Sequence, residues 1–159
     1  LASDGTRMAR LRCDFTLAPK GHELHLGWAA AVTPEIDGFY FGDQEEMGFG
    51  VRMATPLIEK NGGLVTSSTG RTTARETWGQ PAEWCDYSRT ANGIRVGARV
   101  IPDLANFRPS WWHNRDYGVF VANPFGRQAM KQGEESRVEV EKGGTHRLGF
   151  TVVLYVAKE

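Results

Sequence analysis

The sequence predicts an all-β protein, an antiparallel β-sandwich with little helix. Polar and apolar residues alternate with a period of two in six segments, as they do in strands that bury one face. Turn sequences rich in glycine or containing proline separate these segments, and the 19 glycines suit a chain with many turns. No long segment has the i, i+3, i+4 apolar spacing of a helix. Many strands of similar spacing are typical of a sandwich.

The predicted elements follow one another along the whole chain. Alternation places strands at residues 9–17, 23–29, 93–100, 119–122, 137–141 and 148–157. Turn chemistry separates them at 19–21, 61–63, 92–93 and 143–144. Residues 126–132 are compatible with one helical turn. The Ser-, Thr- and Arg-rich segment 66–77 predicts a long surface loop or an edge hairpin.

Length and charge limit the classes of function. The 159 residues form a single domain, 1–159, which is long enough for a hydrophobic core. The 19 basic and 19 acidic residues cancel, and no basic block stands out, which argues against nucleic acid as a partner. No apolar run approaches the ~20 residues of a membrane helix. The two cysteines, Cys13 and Cys85, allow one disulfide at most and match no metal-site spacing.

The start of the chain suggests a longer protein. It opens at Leu1 rather than Met and shows no signal peptide. We therefore expect either a processed protein or the carboxyl-terminal portion of a longer chain. A sandwich without its amino-terminal strands has an open sheet edge, so we expect a homo-oligomer or a preceding segment to cover it.

Residues 108–126 are the most informative part of the chain for function. Flat aromatic rings next to arginine and amide donors are typical of sites that bind sugars. His113 and Tyr117 could also transfer protons. The alternative is a Trp- and Pro-rich loop that closes the sandwich core. The candidate residues in this segment are Trp111, Trp112, His113, Arg115, Tyr117 and Asn123.

A second candidate group lies at residues 45–52. Alternation places Phe49 and Val51 on one face and Gly48, Gly50 and Arg52 on the other. Glycines let a ligand approach the strand closely, and Arg52 could then hold a carboxylate or a pair of vicinal hydroxyls. The alternative is a kinked strand with a structural salt bridge.

A third candidate group lies at residues 78–87. Trp84 and Asp86 share one strand face, where the ring could stack on a pyranose and the carboxylate could accept its hydroxyl protons. Carboxylates also serve glycoside hydrolysis. The alternative is a core tryptophan and a turn-capping aspartate.

Neither a metal nor a cofactor is expected. His22 and His25 are three residues apart in a predicted strand, so they point to opposite faces, whereas zinc proteases place two histidines four apart on a helix. The chain also lacks a phosphate-binding loop, a dinucleotide fingerprint and a nucleophile elbow.

The motifs in their order resemble a known family. They are Gly48-Phe-Gly-Val-Arg52, Trp84-Cys-Asp-Tyr87, Gly93-Ile94, Pro109-Ser-Trp-Trp-His113, Arg115-Asp-Tyr-Gly118 and Asn123-Pro-Phe-Gly126. Over residues 38–140 this set is similar to the bacterial PmoA-like proteins, the "methane oxygenase PmoA" domain family of unknown function. Members of that family are generally longer, which again implies a carboxyl-terminal portion. The chain departs from the family at Pro102-Asp-Leu-Ala-Asn106, where a His-Pro-x-Asn-type step is usual.

The resemblance implies a galactose-mutarotase-like fold, in which this chain is part of a supersandwich. It does not imply methane oxidation, which needs transmembrane helices and copper ligands. It implies an association with sugar degradation or oxidation in bacteria. The location of the protein stays open, with a periplasmic or extracellular one slightly favoured over a cytoplasmic one.

Two hypotheses of function follow. In the first, the protein processes a saccharide by hydrolysis, β-elimination or epimerisation. Trp84 and Trp111 or Trp112 hold the sugar, and Arg52, Arg115 and Asn123 orient it. His113 or Tyr117 acts as acid or base, with Asp86 assisting. In the second, the same surface is a carbohydrate-binding module without turnover. A third option is a purely structural half-sandwich, whose site is incomplete without its missing half. For a functional site we expect one concave surface shared by six residues, which are Arg52, Trp84, Asp86, His113, Arg115 and Tyr117.

Overall fold

The computed structural model describes residues 2–158 and confirms the antiparallel all-β sandwich. Strands account for 49% of the residues and helix for 9%. The strands in chain order are β1 Ala9–Lys20, β2 Glu23–Pro34, β3 Tyr40–Phe41, β4 Phe49–Arg52, β5 Leu64–Ser67, β6 Cys85–Ala91, β7 Ile94–Pro102, β8 Trp111–Asn114, β9 Val119–Asn123, β10 Val138–Glu139 and β11 His146–Lys158. The helical elements are the α-helix α1 Thr73–Thr77 and 3₁₀ turns at Thr55–Leu57, Glu59–Asn61 and Gln128–Met130.

These strands form a large sheet, a small sheet and a short ribbon. The large sheet has the order β1-β2-β11-β7-β6-β5, and every neighbouring pair in it is antiparallel. The small sheet has the order β4-β9-β8, and the ribbon pairs β10 with β3. A strand lies in each predicted segment. Most extend beyond the predicted ends, namely β1, β2, β7, β9 and β11, whereas β10 covers only Val138–Glu139 of the predicted 137–141. In the predicted loop 66–77, β5 ends at Ser67 and α1 follows.

The core lies between the large and small sheets. Tyr87 of β6 packs against Phe120 of β9 with ring centroids 4.7 Å apart, and Trp112 of β8 lies 5.6 Å from the same ring. Phe49 of β4 stacks on Phe150 of β11 at 5.0 Å. We call the sheet faces that meet here the inner faces. Burial of such large rings stabilises each by roughly 2–3 kcal/mol.

A hydrogen bond from the large sheet supports the end of the small sheet. The Tyr87 hydroxyl donates to the carbonyl oxygens of Arg115 and Val119, at 2.9 and 3.2 Å. Those residues flank the β8–β9 turn. Burial raises the pKa of Tyr87, so this hydroxyl remains a donor at all ordinary pH values.

The two cysteines are free thiols at distant positions. Cys13 lies in β1 and Cys85 in β6, which are separated by β2, β11 and β7 in the large sheet. At about 4.8 Å per strand spacing they are far beyond disulfide distance. Burial raises the pKa of the Cys85 thiol, which therefore stays protonated.

The fold contains no helix that could cross a bilayer among residues 2–158, since none is both long and apolar enough.

Stability should fall in mild acid because His146 is enclosed by aromatic rings. Its ring lies 5.3 Å from Phe41 and 4.8 Å from Phe107, and burial lowers its pKa from 6.5. The unfolded chain then binds more protons below about pH 6.5. We expect the urea midpoint to fall as the pH decreases from 7.5 to 5, and to fall less in His146→Phe.

The matched control is His22→Asn in the β1–β2 turn, which should keep the pH dependence of the natural chain. The same loss of stability in His146→Phe as in the natural chain would contradict this role of His146.

Candidate functional site

Strand register defines the outer face of the large sheet. Tyr87 points into the core, so its neighbour Asp86 points outward. Asp86 pairs with Arg99, Arg99 pairs with Val153, and Val153 pairs with His25, which makes one row across four strands. The next row contains Ser88, Gly97, Tyr155 and Glu23. We call this surface the polar face.

Asp86 is the centre of the polar face. Its side chain is 0% exposed, and its Oδ1 accepts a hydrogen bond from the Tyr155 hydroxyl at 2.9 Å. Arg99 Nε lies 3.5 Å from Oδ2, and Arg95 Nη2 lies 3.8 Å from Oδ1. A buried carboxylate needs such compensation, because desolvation of an unpaired charge is very costly.

Gly97 allows this cluster to form. A Cβ at position 97 would lie 2.5 Å from the Tyr155 ring. The glycine lets Tyr155 lie across β7 and reach Asp86 on β6. Burial raises the pKa of Tyr155, and the nearby Asp86 charge raises it further. Tyr155 is therefore a hydrogen-bond donor and not a phenolate.

Trp84 adds an aromatic ring to the same cluster. It comes just before β6 and shares the face of Asp86 two residues later. The Arg99 guanidinium lies 4.3 Å from the Trp84 ring centroid, in a cation–π contact. Trp84 is half-buried. Arg95 donates to the Ser88 hydroxyl at 2.9 and 3.2 Å, which holds the second guanidinium beside Asp86.

The cluster carries more positive than negative charge. Arg95 and Arg99 face a single carboxylate, and their side chains remain 32% and 39% exposed. Exposed guanidinium groups next to a fixed aromatic ring can bind a carboxylate through two parallel hydrogen bonds.

His25 and Glu23 lie farther along the polar face. His25 Nε2 is 2.7 Å from Glu23 Oε2, and the side chains are 21% and 48% exposed. A carboxylate in this position orients the imidazole ring through one of its two nitrogens. His25 lies two strand spacings from Arg99, or about 10 Å.

A shallow groove occupies the other end of the polar face. Its volume is about 400 Å³, and small residues form part of its floor, so a ligand can approach the backbone. The floor includes Ala29, Ala31 and Gly149, and the charged residues around it are Arg12, Asp14, Asp103 and Arg147.

A separate cluster surrounds His113 on the outer side of the small sheet. His113 pairs with Val121, one residue from the core residues Trp112 and Phe120, so it points away from the core. It is nevertheless only 1% exposed. Its Nδ1 lies 3.0 Å from Glu45 Oε1, and its Nε2 lies 3.5 Å from Glu46 Oε1.

Glu45 has further partners in this cluster. The Trp78 indole N–H donates to Glu45 Oε1 at 2.9 Å, and Arg115 pairs with the same oxygen. Burial lowers the pKa of His113, and the adjacent Glu45 charge offsets this effect only in part. His113 is therefore mainly neutral at pH 7.

Asn123 anchors the segment that covers His113. Its Nδ2 donates to the carbonyl oxygens of Gln44 and Glu45 at 2.7 and 3.0 Å. Its Oδ1 accepts from the backbone N–H groups of Phe125 and Gly126, both at 2.8 Å. Asn123 is 0% exposed and has a structural role, in place of the predicted sugar-binding one.

Asp43 anchors the other side of the same segment. Its carboxylate accepts hydrogen bonds from four backbone N–H groups in residues 127–136. Partial burial raises its pKa, but the four donors outweigh that effect, and the net pKa is lowered. These bonds make residues 43–46 a fixed cover over His113.

The remaining predicted residues lie elsewhere. Arg52 stacks on the Tyr117 ring at 5.4 Å, at the β8–β9 turn. Trp111 is half-buried beneath Arg127, which lies 4.1 Å from its ring centroid. Trp112 is 0% exposed, and its indole N–H donates to the Ala82 carbonyl oxygen at 3.1 Å. It is a core residue and cannot stack on a sugar in the folded protein.

The prediction of one concave surface is wrong. Trp84 and Asp86 lie on the outer side of the large sheet, whereas His113 lies on the outer side of the small sheet. The core separates them, and stacked sheets are about 10 Å apart before side chains are counted. His113 and Arg115 do share a cluster, through Glu45.

Sequence reasoning missed several residues of both clusters. On the polar face these are Arg95, Arg99, Tyr155 and the His25–Glu23 pair, and around His113 they are Glu45 and Trp78. Alternation in β7 already places Arg95, Gly97 and Arg99 on one face. That signal shows a polar strand face but not which strand lies beside it.

Replacement of Asn123 distinguishes a structural role from a binding role. Asn123→Ala leaves two backbone carbonyls and two N–H groups without their partner, so we expect unfolding free energy to fall by about 1–3 kcal/mol or more. Urea denaturation measures this change. Gln128→Ala, which removes an exposed side-chain amide, is the control. Unchanged stability in Asn123→Ala would contradict the anchoring role.

Comparison with known proteins shows the family but no individual relative. No curated protein and no solved structure matches the chain significantly. The profile of a family of unknown function, DUF6807, matches residues 1–158. This chain therefore belongs to the DUF6807 family.

Proposed function

We propose that this protein binds an acidic saccharide on the polar face, at Trp84, Asp86, Arg95, Arg99 and Tyr155. The observation that carries the proposal is a fully buried carboxylate held between two partly exposed arginines, one of which lies against a tryptophan. The polar face around Asp86 thus combines charge, hydrogen-bond donors and an aromatic ring in a partly exposed position.

Charge favours an anionic ligand. Asp86 neutralises only one of the two guanidinium groups. A uronic acid carboxylate would supply the second negative charge and accept paired hydrogen bonds from Arg99 or Arg95. A neutral sugar would leave the additional positive charge without a counter-ion.

The aromatic ring favours a sugar over a simple carboxylate. A pyranose has an apolar C–H face that can stack on the half-buried Trp84, for roughly 1 kcal/mol beyond area burial, by analogy with aromatic pairs. Arg99 already covers part of this ring, so the sugar would lie beside the guanidinium. This position brings its carboxylate within reach of Arg99.

The length of the polar face favours an oligosaccharide. Arg147 in the groove and Tyr155 in the cluster around Asp86 lie on the same face of β11, eight residues apart. At ~3.3 Å per residue this is about 26 Å, which exceeds the length of a single sugar ring. The small residues of the groove leave space for further sugar units.

Turnover of the saccharide is the second candidate function. The observation that favours it is the His25–Glu23 pair at 2.7 Å on the same face. In a β-elimination, arginine would stabilise the enolate form of the uronate while His25 takes the proton from the adjacent carbon, and the glycosidic oxygen would leave with its electron pair. His113 lies in the small sheet and Tyr117 in the β8–β9 turn, so neither of these predicted proton-transfer residues is on the polar face where this step would occur.

The resemblance to PmoA-like and galactose-mutarotase-like proteins supports sugars as the ligand class.

Paired substitutions test saccharide binding. Trp84→Ala and Arg99→Ala should each weaken binding to acidic oligosaccharides at least tenfold, because they remove the stacking ring and one carboxylate donor. Trp111→Ala and Arg52→Ala are matched controls, since each loses a residue from a cation–π pair outside the polar face. Isothermal titration against oligouronates and neutral oligosaccharides measures the effect.

Circular dichroism of each variant separates lost binding from lost folding. Equal affinity of the four variants would contradict binding on the polar face. Equal affinity of the natural protein for neutral and acidic sugars would contradict the charge argument.

A separate substitution tests turnover. His25→Asn should abolish formation of unsaturated product from polyuronate, seen as ultraviolet absorbance, while titrations still show binding. His22→Asn, in the adjacent turn, should retain the activity. If the natural protein binds polyuronate but forms no unsaturated product, turnover is contradicted and the protein is a non-catalytic carbohydrate-binding module.

A further inference from the structure

Strand β1 exposes an apolar surface at the edge of the large sheet. Leu11, Phe15 and Leu17 lie on its inner side and are 61%, 65% and 67% exposed. Their partners in β2 include the half-buried Trp28 and Leu26. The large sheet has six strands and the small sheet three, so these side chains extend past the core. Three large apolar groups in one row mark an interaction surface.

The backbone of β1 is also available for pairing. It runs for 12 residues and hydrogen-bonds to β2 on one side only, with no further strand beside it among residues 2–158. A long edge strand with apolar side chains readily accepts another strand.

We infer that β1 joins two copies of this chain, in an antiparallel pairing about a two-fold axis at Cys13. Each residue i then lies opposite residue 26 − i of the second copy, by the geometry of an isologous contact. Leu11 meets Phe15 on the inner side, and Arg12 meets Asp14 on the polar side. Both pairs occur twice, once on each side of the axis.

Charge complementarity favours this register. An axis at Leu11 would place Arg12 opposite Arg10, and an axis at Phe15 would leave Arg12 and Asp14 opposite uncharged residues. Arg12 and Asp14 already form an ion pair at 3.1 Å within one strand, and the dimer would combine the two pairs into a network without net charge. An axis at Arg12 would place two arginines opposite each other, and an axis at Asp14 would place two aspartates opposite each other. Both arrangements are destabilising, because like charges on directly opposed residues repel. An axis midway between two residues would place odd-numbered positions opposite even-numbered ones. The apolar side chains of one copy would then lie on the same side of the sheet as the polar face of the other copy.

The two polar faces would then lie on the same side of one continuous sheet. Arg12 and Asp14 also lie beside the groove of the polar face. The interface itself is argued from the exposed side chains and charges of β1 and does not require that a saccharide binds.

Oxidative cross-linking at Cys13 tests the register. Opposed residues in an antiparallel pair have Cα atoms about 4.5–5.5 Å apart, within the range of a disulfide. Mild oxidation should convert most of the protein into a disulfide-linked dimer at micromolar concentration. Cys13→Ser should form none, and Cys13→Ser with Leu17→Cys should form at least tenfold less, since position 17 lies opposite Ala9.

A charge exchange tests the interface without a cross-link. Light scattering after size exclusion should show a dimer for the natural chain. Asp14→Arg places four arginines around the axis and should raise the dissociation constant more than tenfold, whereas Arg12→Asp with Asp14→Arg restores the opposite pairs and the dimer. A monomer at every concentration would overturn the proposal and assign the edge to a different chain segment or protein. A dimer that persists in Asp14→Arg would overturn it as well.

Discussion

The contact of Tyr87 and Trp112 with Phe120 is the packing interaction on which the other features depend. It joins the large sheet to the small one and determines which side of β6, β8 and β9 faces the core. Because side chains alternate along a strand, this contact also sends Asp86 and His113 outward, in opposite directions. The Tyr87 hydroxyl then fixes the β8–β9 turn through two backbone carbonyls. The two outer surfaces are therefore consequences of one core.

The outer surfaces of the two sheets each contain a buried polar side chain, and the two side chains are stabilised in different ways. On the large sheet, Asp86 is shielded from water by the side chains that compensate its charge, and these keep their own exposed ends. Such a cluster can exchange water for a ligand without exposing the carboxylate. On the small sheet, a fixed backbone segment covers His113, and burial keeps the ring mainly neutral. The first arrangement suits ligand recognition, and the second suits stability.

The surroundings of residues 43–46 show that polar residues typical of a binding site can have a purely structural role. The side chains of Asn123 and Asp43 form hydrogen bonds with backbone groups. Gly126 has no side chain, so its backbone can lie close to the backbone of Gln44. The motif Asn123-Pro-Phe-Gly126 is thus a requirement of the fold. Tryptophans beneath arginines recur at Trp78, Trp84 and Trp111, so a stacked arginine alone does not identify a binding site. The buried charge at Asp86 distinguishes Trp84 from the other two.

The sequence by itself determined the fold class and the faces of individual strands. Period-two alternation depends only on neighbouring residues, so it located the main strands and placed Trp84 with Asp86 on one face. Short strands such as β3 and β8 carry too few residues for that signal. Only the tertiary structure decided which strands are neighbours. The Asp86 cluster joins residues as far apart in sequence as Tyr155, and the His113 cluster joins Glu45 to Arg115. Pairing between distant strands depends on the packing of the whole chain, which no local pattern contains.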